Sequence, residues 1–373
     1  MTIATLAGQL LIRVQVLNGH IHTASLQSSR PVMLPRILKQ LMPEVAVDRI
    51  RLLYSLCANA QQVAALCACE SALGLSIPPE VMAARSKLVQ AETQKEQAWS
   101  LLHHWLAVPH GVKQQASQKL THAFLRLQQA SHPSLSFGKD AEGVSDAPFN
   151  QWQYEFQKIM QVALSEPLES FVASALDQKN TPVGGLIKQL NMHPSLVRHY
   201  VSGLPTPLSP HIPTPGSDDL LAFTQHPTFN GQCCESTPLA RLYQNESGQA
   251  LCKEARFRQC HPIAQRVIAL LAELSTPVSE SNCVVIANSG SCELEAARGR
   301  LFHQVILDRA GLVQSYSILA PTEWNFHPEG ILTTALQGVA VQSKTETEAL
   351  LHDWIRALDP CVDYVLTIEE EAA

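Results

Sequence analysis

No stretch of the 373-residue sequence approaches the roughly 18 to 20 consecutive apolar residues that a membrane-spanning helix requires, and residues 1–8 carry no basic segment of a secretory leader. The sequence predicts a cytoplasmic protein without a membrane span. Basic charge is scarce too: 27 Lys and Arg stand against 33 Asp and Glu, a net charge of -6, so no cationic face capable of neutralising a run of phosphates is evident. Nucleic acid is not expected as a partner. Cys-x-x-Cys is also missing. The ten cysteines, at 57, 67, 69, 233, 234, 252, 260, 283, 292 and 361, show neither that spacing nor the regularity of a secreted disulfide framework. They read as reduced thiols, and neither Cys67-Ala68-Cys69 nor Cys233-Cys234 supports a structural zinc. No internal repeat of 20 to 50 residues is visible.

What is present is enough apolar material, 46% of the residues, to bury a substantial core. The length allows one large or two medium domains, and we expect one, spanning 1–373. Leu10, Ile12, Val14 and Val16 alternate, Asn18-Gly19 is a strong hairpin turn, and His20 to Leu26 returns as a second strand, so a β-hairpin is expected near 9–27. A helical stretch lies between Pro35 and Pro43, and a buried helix of small residues covers Ala58 to Leu73, ended by Gly74. Further helices fit Lys87 to Val108, Val112 to Ala130, Trp152 to Leu176 with a bend at Pro167, and Pro262 to Leu274. Loops are expected near 131–148 and near 204–217, where five prolines between Pro205 and Pro215 exclude helix. Strands fit Val284 to Ala287, Leu301 to Leu307 and Leu312 to Leu319. Thr345 to Glu348 fits a capping box, and Leu350, Leu351, Trp354, Ile355 and Leu358 form the apolar stripe of a last helix.

Two cysteines near opposite ends of the chain sit in segments that each look like half of a Cys-x-x-Cys pair. Cys57 follows Tyr54 at the pair spacing, and Cys361, in Asp359-Pro360-Cys361, precedes Tyr364 at the same spacing. Cys57 abuts the N-terminus of the helix that begins at Ala58, where free amides and the helix dipole favour a thiolate. Taken alone, either cysteine reads as a small buried hydrophobe and Arg298 as a member of a structural ion pair. Glu235 and Arg241 read as structural charges, Trp324 as a packed aromatic and Asn325 as a turn amide. His103, His104, His193, His199 and His303 share no metal spacing and read as surface or satisfied core residues.

With these two sites stand Cys234-Glu235-Ser236-Thr237-Pro238-Leu239-Ala240-Arg241, Glu295-Ala296-Ala297-Arg298-Gly299 and Pro321-Thr322-Glu323-Trp324-Asn325-Phe326. In this order the five segments resemble the large, metal-bearing subunit of nickel-iron hydrogenases, over nearly the whole chain. The resemblance implies an α+β fold, mainly a helical bundle with small peripheral β elements, that brings Cys57 and Cys361 together. It puts Cys57 on a cysteine that bridges nickel and iron and Cys361 on one that binds nickel alone. Tyr54 and Tyr364 replace the other two thiolates, and Gln61 and Thr367 replace two histidines. The family's early Glu-Gly-His becomes Ala7-Gly8-Gln9, and its cleaved C-terminal extension is not recognisable. Arg298, Thr322 and Asp359 fall on residues that lie near the iron and its cyanide ligands.

The resemblance therefore implies a non-catalytic protein with Cys57 and Cys361 as metal residues, Arg298, Thr322 and Asp359 as cofactor-binding residues, and no nickel. Within the superfamily the chain most resembles the HupK class (HoxV-like) of hydrogenase accessory proteins. That implies a scaffold or carrier that transiently holds the iron-dicyano-carbonyl unit, with hydrogenase maturation proteins and the hydrogenase large-subunit precursor as partners. The alternatives are a structural or quinone-site subunit of a larger redox complex, and a residual enzyme with an altered metal site.

Overall fold

The first strand, β1 (Gln9–Leu17), buries Leu10, Ile12, Val14 and Val16 on one face and pairs antiparallel with β2 (His20–Ser28). Asn18 and Gly19 take the positive φ angles of 51° and 73° that a two-residue turn demands. A computed structural model describes residues 8–31, 34–54, 56–194, 218–275, 283–286 and 290–371. The expected proline-rich loop near 204–217 and His199 lie outside them.

Helices of eleven residues or more are numbered α1 (Pro43–Leu53), α2 (Ala58–Ala72), α3 (Pro79–Ser100), α4 (His110–Ala130), α5 (Ala147–Leu164), α6 (Pro262–Ser275) and α7 (Lys344–Leu358). Helix α2 is buried on nearly every side, and its alanines let α1, α3 and a second sheet approach closely. That sheet has the order β3 (Cys283–Ile286), β4 (Ser291–Ala296), β5 (Gly299–Leu307) and β6 (Val313–Leu319), all antiparallel. The fold is α+β with helices dominant, as expected. No helix among the described residues is long and apolar enough to cross a membrane.

Several expectations need correction. Between Pro35 and Pro43 there is only a 3-10 turn, Leu34–Leu38, and the helix starts at Pro43. Proline is tolerated at a first helical position but interrupts anything upstream of it. The helix expected from Lys87 starts at Pro79 for the same reason, and after Ser100 it widens into a π turn over Leu101–Trp105. The stretch 152–176 is not one bent helix: α5 stops where Ser165 adopts φ 57°, just before Pro167, and Phe171–Leu176 forms a separate short helix. Helix α7 is capped by Ser343, not Thr345; the Ser343 side chain accepts from the Glu346 N–H, and the Glu346 carboxylate accepts from the Gln342 N–H. The cap sits two residues earlier than expected, and Glu346 reaches one residue past the N-cap that a capping box would engage. Two strands were not anticipated, β4 and the last strand β7 (Asp363–Glu371), which joins the hairpin in parallel to give the order β2-β1-β7.

Candidate functional site

Cys57 ends the turn between α1 and α2, and Cys361 lies between the end of α7 and the start of β7. The fold carries both into one pocket, where each thiol is within electrostatic reach of the other and of Arg298. Helix α7 ends at Asp359, held at φ 47°, a left-handed conformation that asparagine and aspartate tolerate better than most residues. The turn it makes aims Cys361 back toward the short helix Pro321–Asn325. Thr322 Oγ1 is 2.9 Å from Cys361 Sγ and accepts from the Cys361 N–H at 3.4 Å.

Arg298 sits in the tight turn between β4 and β5 and faces Asp359, with Nε 3.2 Å from Oδ2, and Glu96, with Nη2 3.9 Å from Oε2. Nη1 is buried with no hydrogen-bond partner among the described residues, and Nε meets Asp359 as an ion pair outside hydrogen-bond geometry. Burial raises the Asp359 pKa, and Arg298 works against that rise. The Arg298 backbone is fixed by Asn325, whose Nδ2 donates to the Arg298 carbonyl at 2.9 Å while its Oδ1 accepts from the Ser236 N–H at 2.8 Å. Asn325 is thus a brace between two of the site's segments, more than a turn amide. All five predicted residues, Cys57, Arg298, Thr322, Asp359 and Cys361, converge here.

The chemistry at Cys57 reverses one expectation. The first amides of α2 do not face its sulfur: Asn59 and Ala60 donate theirs to the buried Glu92 carboxylate at 3.0 and 2.8 Å. Burial, the Cys361 sulfur and Glu92 then push the Cys57 thiol up to about 12, and Arg298 and a weak bond from Gln61 only partly oppose them. These surroundings favour the thiol form of Cys57.

In amino-acid sequence the chain is similar to hydrogenase expression/formation protein HupK of Azotobacter vinelandii, 32% identical over 97% of this chain and 99% of that protein. Hydrogenase expression/formation protein HupV of Azotobacter chroococcum mcd 1 is 30% identical, again over 97% and 99%. The chain belongs to the HupK/HupV family of hydrogenase expression/formation proteins. Its fold is that of the nickel-iron hydrogenase large subunit: the reduced, active nickel-iron-selenium hydrogenase from Desulfomicrobium baculatum superposes with a TM-score of 0.58, covering 93% of this chain and 95% of that one at 16% identity. No protein-family model matches the chain.

In this HupK/HupV family member Gln61 holds one end of a buried chain of hydrogen bonds. Tyr316 Oη donates to His303 Nδ1 at 2.8 Å, His303 Nε2 donates to Gln61 Oε1 at 2.8 Å, and Gln61 Nε2 reaches Cys57 Sγ at 3.7 Å. Burial pushes His303 down to about 3, so the ring is neutral and this tautomer is the one the partners allow. His303 is a satisfied core residue, as expected, but one linked to the site. Arg30 and Glu323 also enter the pocket, and sequence reasoning missed both. Arg30 Nη1 is 3.4 Å from Cys361 Sγ and 3.4 Å from Glu323 Oε1. Arg30 carries no local motif that marks it, since its partner is 331 positions away. Tyr364 is the second residue of β7, where its hydroxyl bonds His352 Nδ1 at 2.7 Å. Glu235 pairs with Arg266 in the core and Arg241 with Glu273 in a part-buried ion pair, the structural contacts expected of both.

Proposed function

We propose that the protein is a non-catalytic carrier that holds an iron-dicyano-carbonyl unit between Cys57 and Cys361 and passes it on during hydrogenase formation. An accessory role in hydrogenase formation follows from membership of the HupK/HupV family. The observation that carries the finer reading is Arg298. Its Nη1 is buried without an acceptor among the described residues, and its Nε meets the Asp359 carboxylate at 3.2 Å outside hydrogen-bond geometry, beside two thiols. Leaving such a donor unpaired is costly, so a cargo bearing acceptors is what the pocket lacks. A metal-bound cyanide is an anionic acceptor of the right size, and a guanidinium fork gives it charge-assisted hydrogen bonds. Two sulfurs suit temporary custody, because release breaks fewer metal-sulfur bonds than four would require. With Tyr54 and Tyr364 in place of thiols, nickel is not held. On this reading the partners are hydrogenase maturation proteins and the hydrogenase large-subunit precursor.

Infrared spectroscopy of anaerobically purified protein tests this directly, because metal-bound cyanide and carbon monoxide absorb where protein does not. The expected result is cyanide and carbonyl bands that disappear in Cys57→Ser and Cys361→Ser and shift, without vanishing, in Arg298→Ala. If both cysteine variants are folded and sustain normal hydrogenase maturation in the cell, the carrier reading is wrong.

A further inference from the structure

The guanidinium of Arg30 lies against the sulfur of Cys361, 3.4 Å from Nη1, and its Cζ is 5.9 Å from the centre of the Tyr54 ring, over its face. It thus faces residues of both half-sites at once. Its placement is built into the fold. Gly8, at φ 74°, lies so close to Arg30 that a Cβ there would come within 2.6 Å of the Arg30 Cα and 2.7 Å of its nitrogen, so only glycine lets the two segments meet. The Ser29 N–H donates to the Gln9 carbonyl at 2.9 Å beside it. At the other end Glu323 Oε1 is 3.4 Å from the same Nη1. Burial works against the charge of Arg30, and the Cys361 sulfur and the Glu323 carboxylate oppose that effect.

We propose that Arg30, the cation lying on the Cys361 sulfur, adds to Arg298 and sets the selectivity of the Cys57 and Cys361 pocket, admitting a metal centre wrapped in anionic ligands and refusing a bare divalent ion. The idea deepens the carrier reading and rests on it for the identity of the cargo. A metal bound to Cys361 at the usual metal-sulfur length of about 2.3 Å would lie no more than about 5.7 Å from Arg30 Nη1. At that range in a buried pocket a bare dication and a guanidinium repel strongly. An iron that brings its own anionic ligands reverses the balance, because those ligands neutralise the metal and accept from the guanidinium. The positive charge that a second metal would contribute next to the sulfurs is supplied by the chain itself.

The probe is Co2+ added to iron-free protein under reducing conditions, read by sulfur-to-cobalt charge-transfer absorption. Wild type and Arg30→Lys are expected to show little of this band, whereas Arg30→Gln should bind Co2+ at least about tenfold more tightly, with the band lost again when Cys361→Ser is added. Arg30→Met serves as a second neutral variant should Arg30→Gln fail to fold. A folded neutral variant that binds Co2+ no better than wild type overturns the proposal, as does wild type forming the band at equimolar Co2+. Failure here leaves the iron-ligand infrared bands of wild type untouched, while absence of those bands with a cobalt gain in Arg30→Gln removes the carrier reading and keeps the selectivity device.

Discussion

Thr322 Oγ1 meets Cys361 twice, 2.9 Å from its sulfur and 3.4 Å from its backbone nitrogen. The N–H occupies a lone pair of the hydroxyl and leaves the hydroxyl proton free to point at sulfur. One side chain therefore fixes both the position of the cysteine and the direction of its lone pairs.

Thr322→Val keeps the shape and removes both bonds. The expected cost is about 1 kcal/mol of stability, measured by urea unfolding, together with weaker iron-ligand infrared bands. Thr322→Ser should restore the bands. Equal loss in both variants would mean that the methyl group, and not the hydroxyl, matters.

A thiol pushed up to about 12 is almost entirely protonated at neutral pH. At pH 8 only about one molecule in ten thousand carries the Cys57 thiolate, so the metal-free protein should lose Cys57 to iodoacetamide far more slowly than an exposed thiol does. Glu92→Gln should speed that alkylation and Arg298→Gln should slow it, since the first removes a nearby negative charge and the second a positive one. Mass spectrometry of the modified peptide gives the rates. Fast modification in wild type would overturn the pocket's electrostatics as described.

His303 links stability to pH. Its folded imidazole is pushed down to about 3, below the ordinary value of about 6.5 in the unfolded chain, so below pH 6.5 protons bind the unfolded state preferentially. Its contribution is complete above about pH 6.5 and is lost as pH falls toward 3. Between pH 7.5 and 5.5 it should account for about 1 to 1.5 kcal/mol of lost stability that is missing in His303→Gln. Comparing the two proteins by chemical denaturation at each pH isolates this residue from the buried carboxylates. Parallel pH curves would show that the ring can be protonated without unfolding.

The cap of α7 separates two nearby hydroxyls. Ser343→Ala should cost about 1 kcal/mol, because its side chain accepts from the Glu346 N–H, while Thr345→Ala should lie within about 0.5 kcal/mol of wild type. The reverse order in thermal unfolding would restore the sequence-based assignment.

The parts of the fold that could be read from sequence are those governed by short-range rules. The hairpin follows from alternation and Asn18-Gly19, and α2 and α6 follow from apolar spacing. Strand β7 was missed because Val365, Leu366 and Ile368 are diluted by the acidic residues of an edge strand, whose outer face needs no apolar cover. The five site residues were legible only because they lie in motifs with a recognisable order. Arg30, Glu92 and Glu323 were not, since each acquires its role from a partner 33 to 331 positions distant. The thiolate expected at Cys57 failed because the amides that would have stabilised it are already engaged by Glu92.

Cys361 lies two positions before β7, which pairs with a strand that begins at Gln9. On a ribosome adding about 5 to 20 residues per second, the 304 positions between Cys57 and Cys361 (361 − 57) take roughly 15 to 60 s to make. Throughout that time β1 waits for its parallel neighbour, and Cys57 and Arg30 wait for their sulfur. The two halves of the site can meet only once Cys361 has been made, so no earlier part of the growing chain can form it alone.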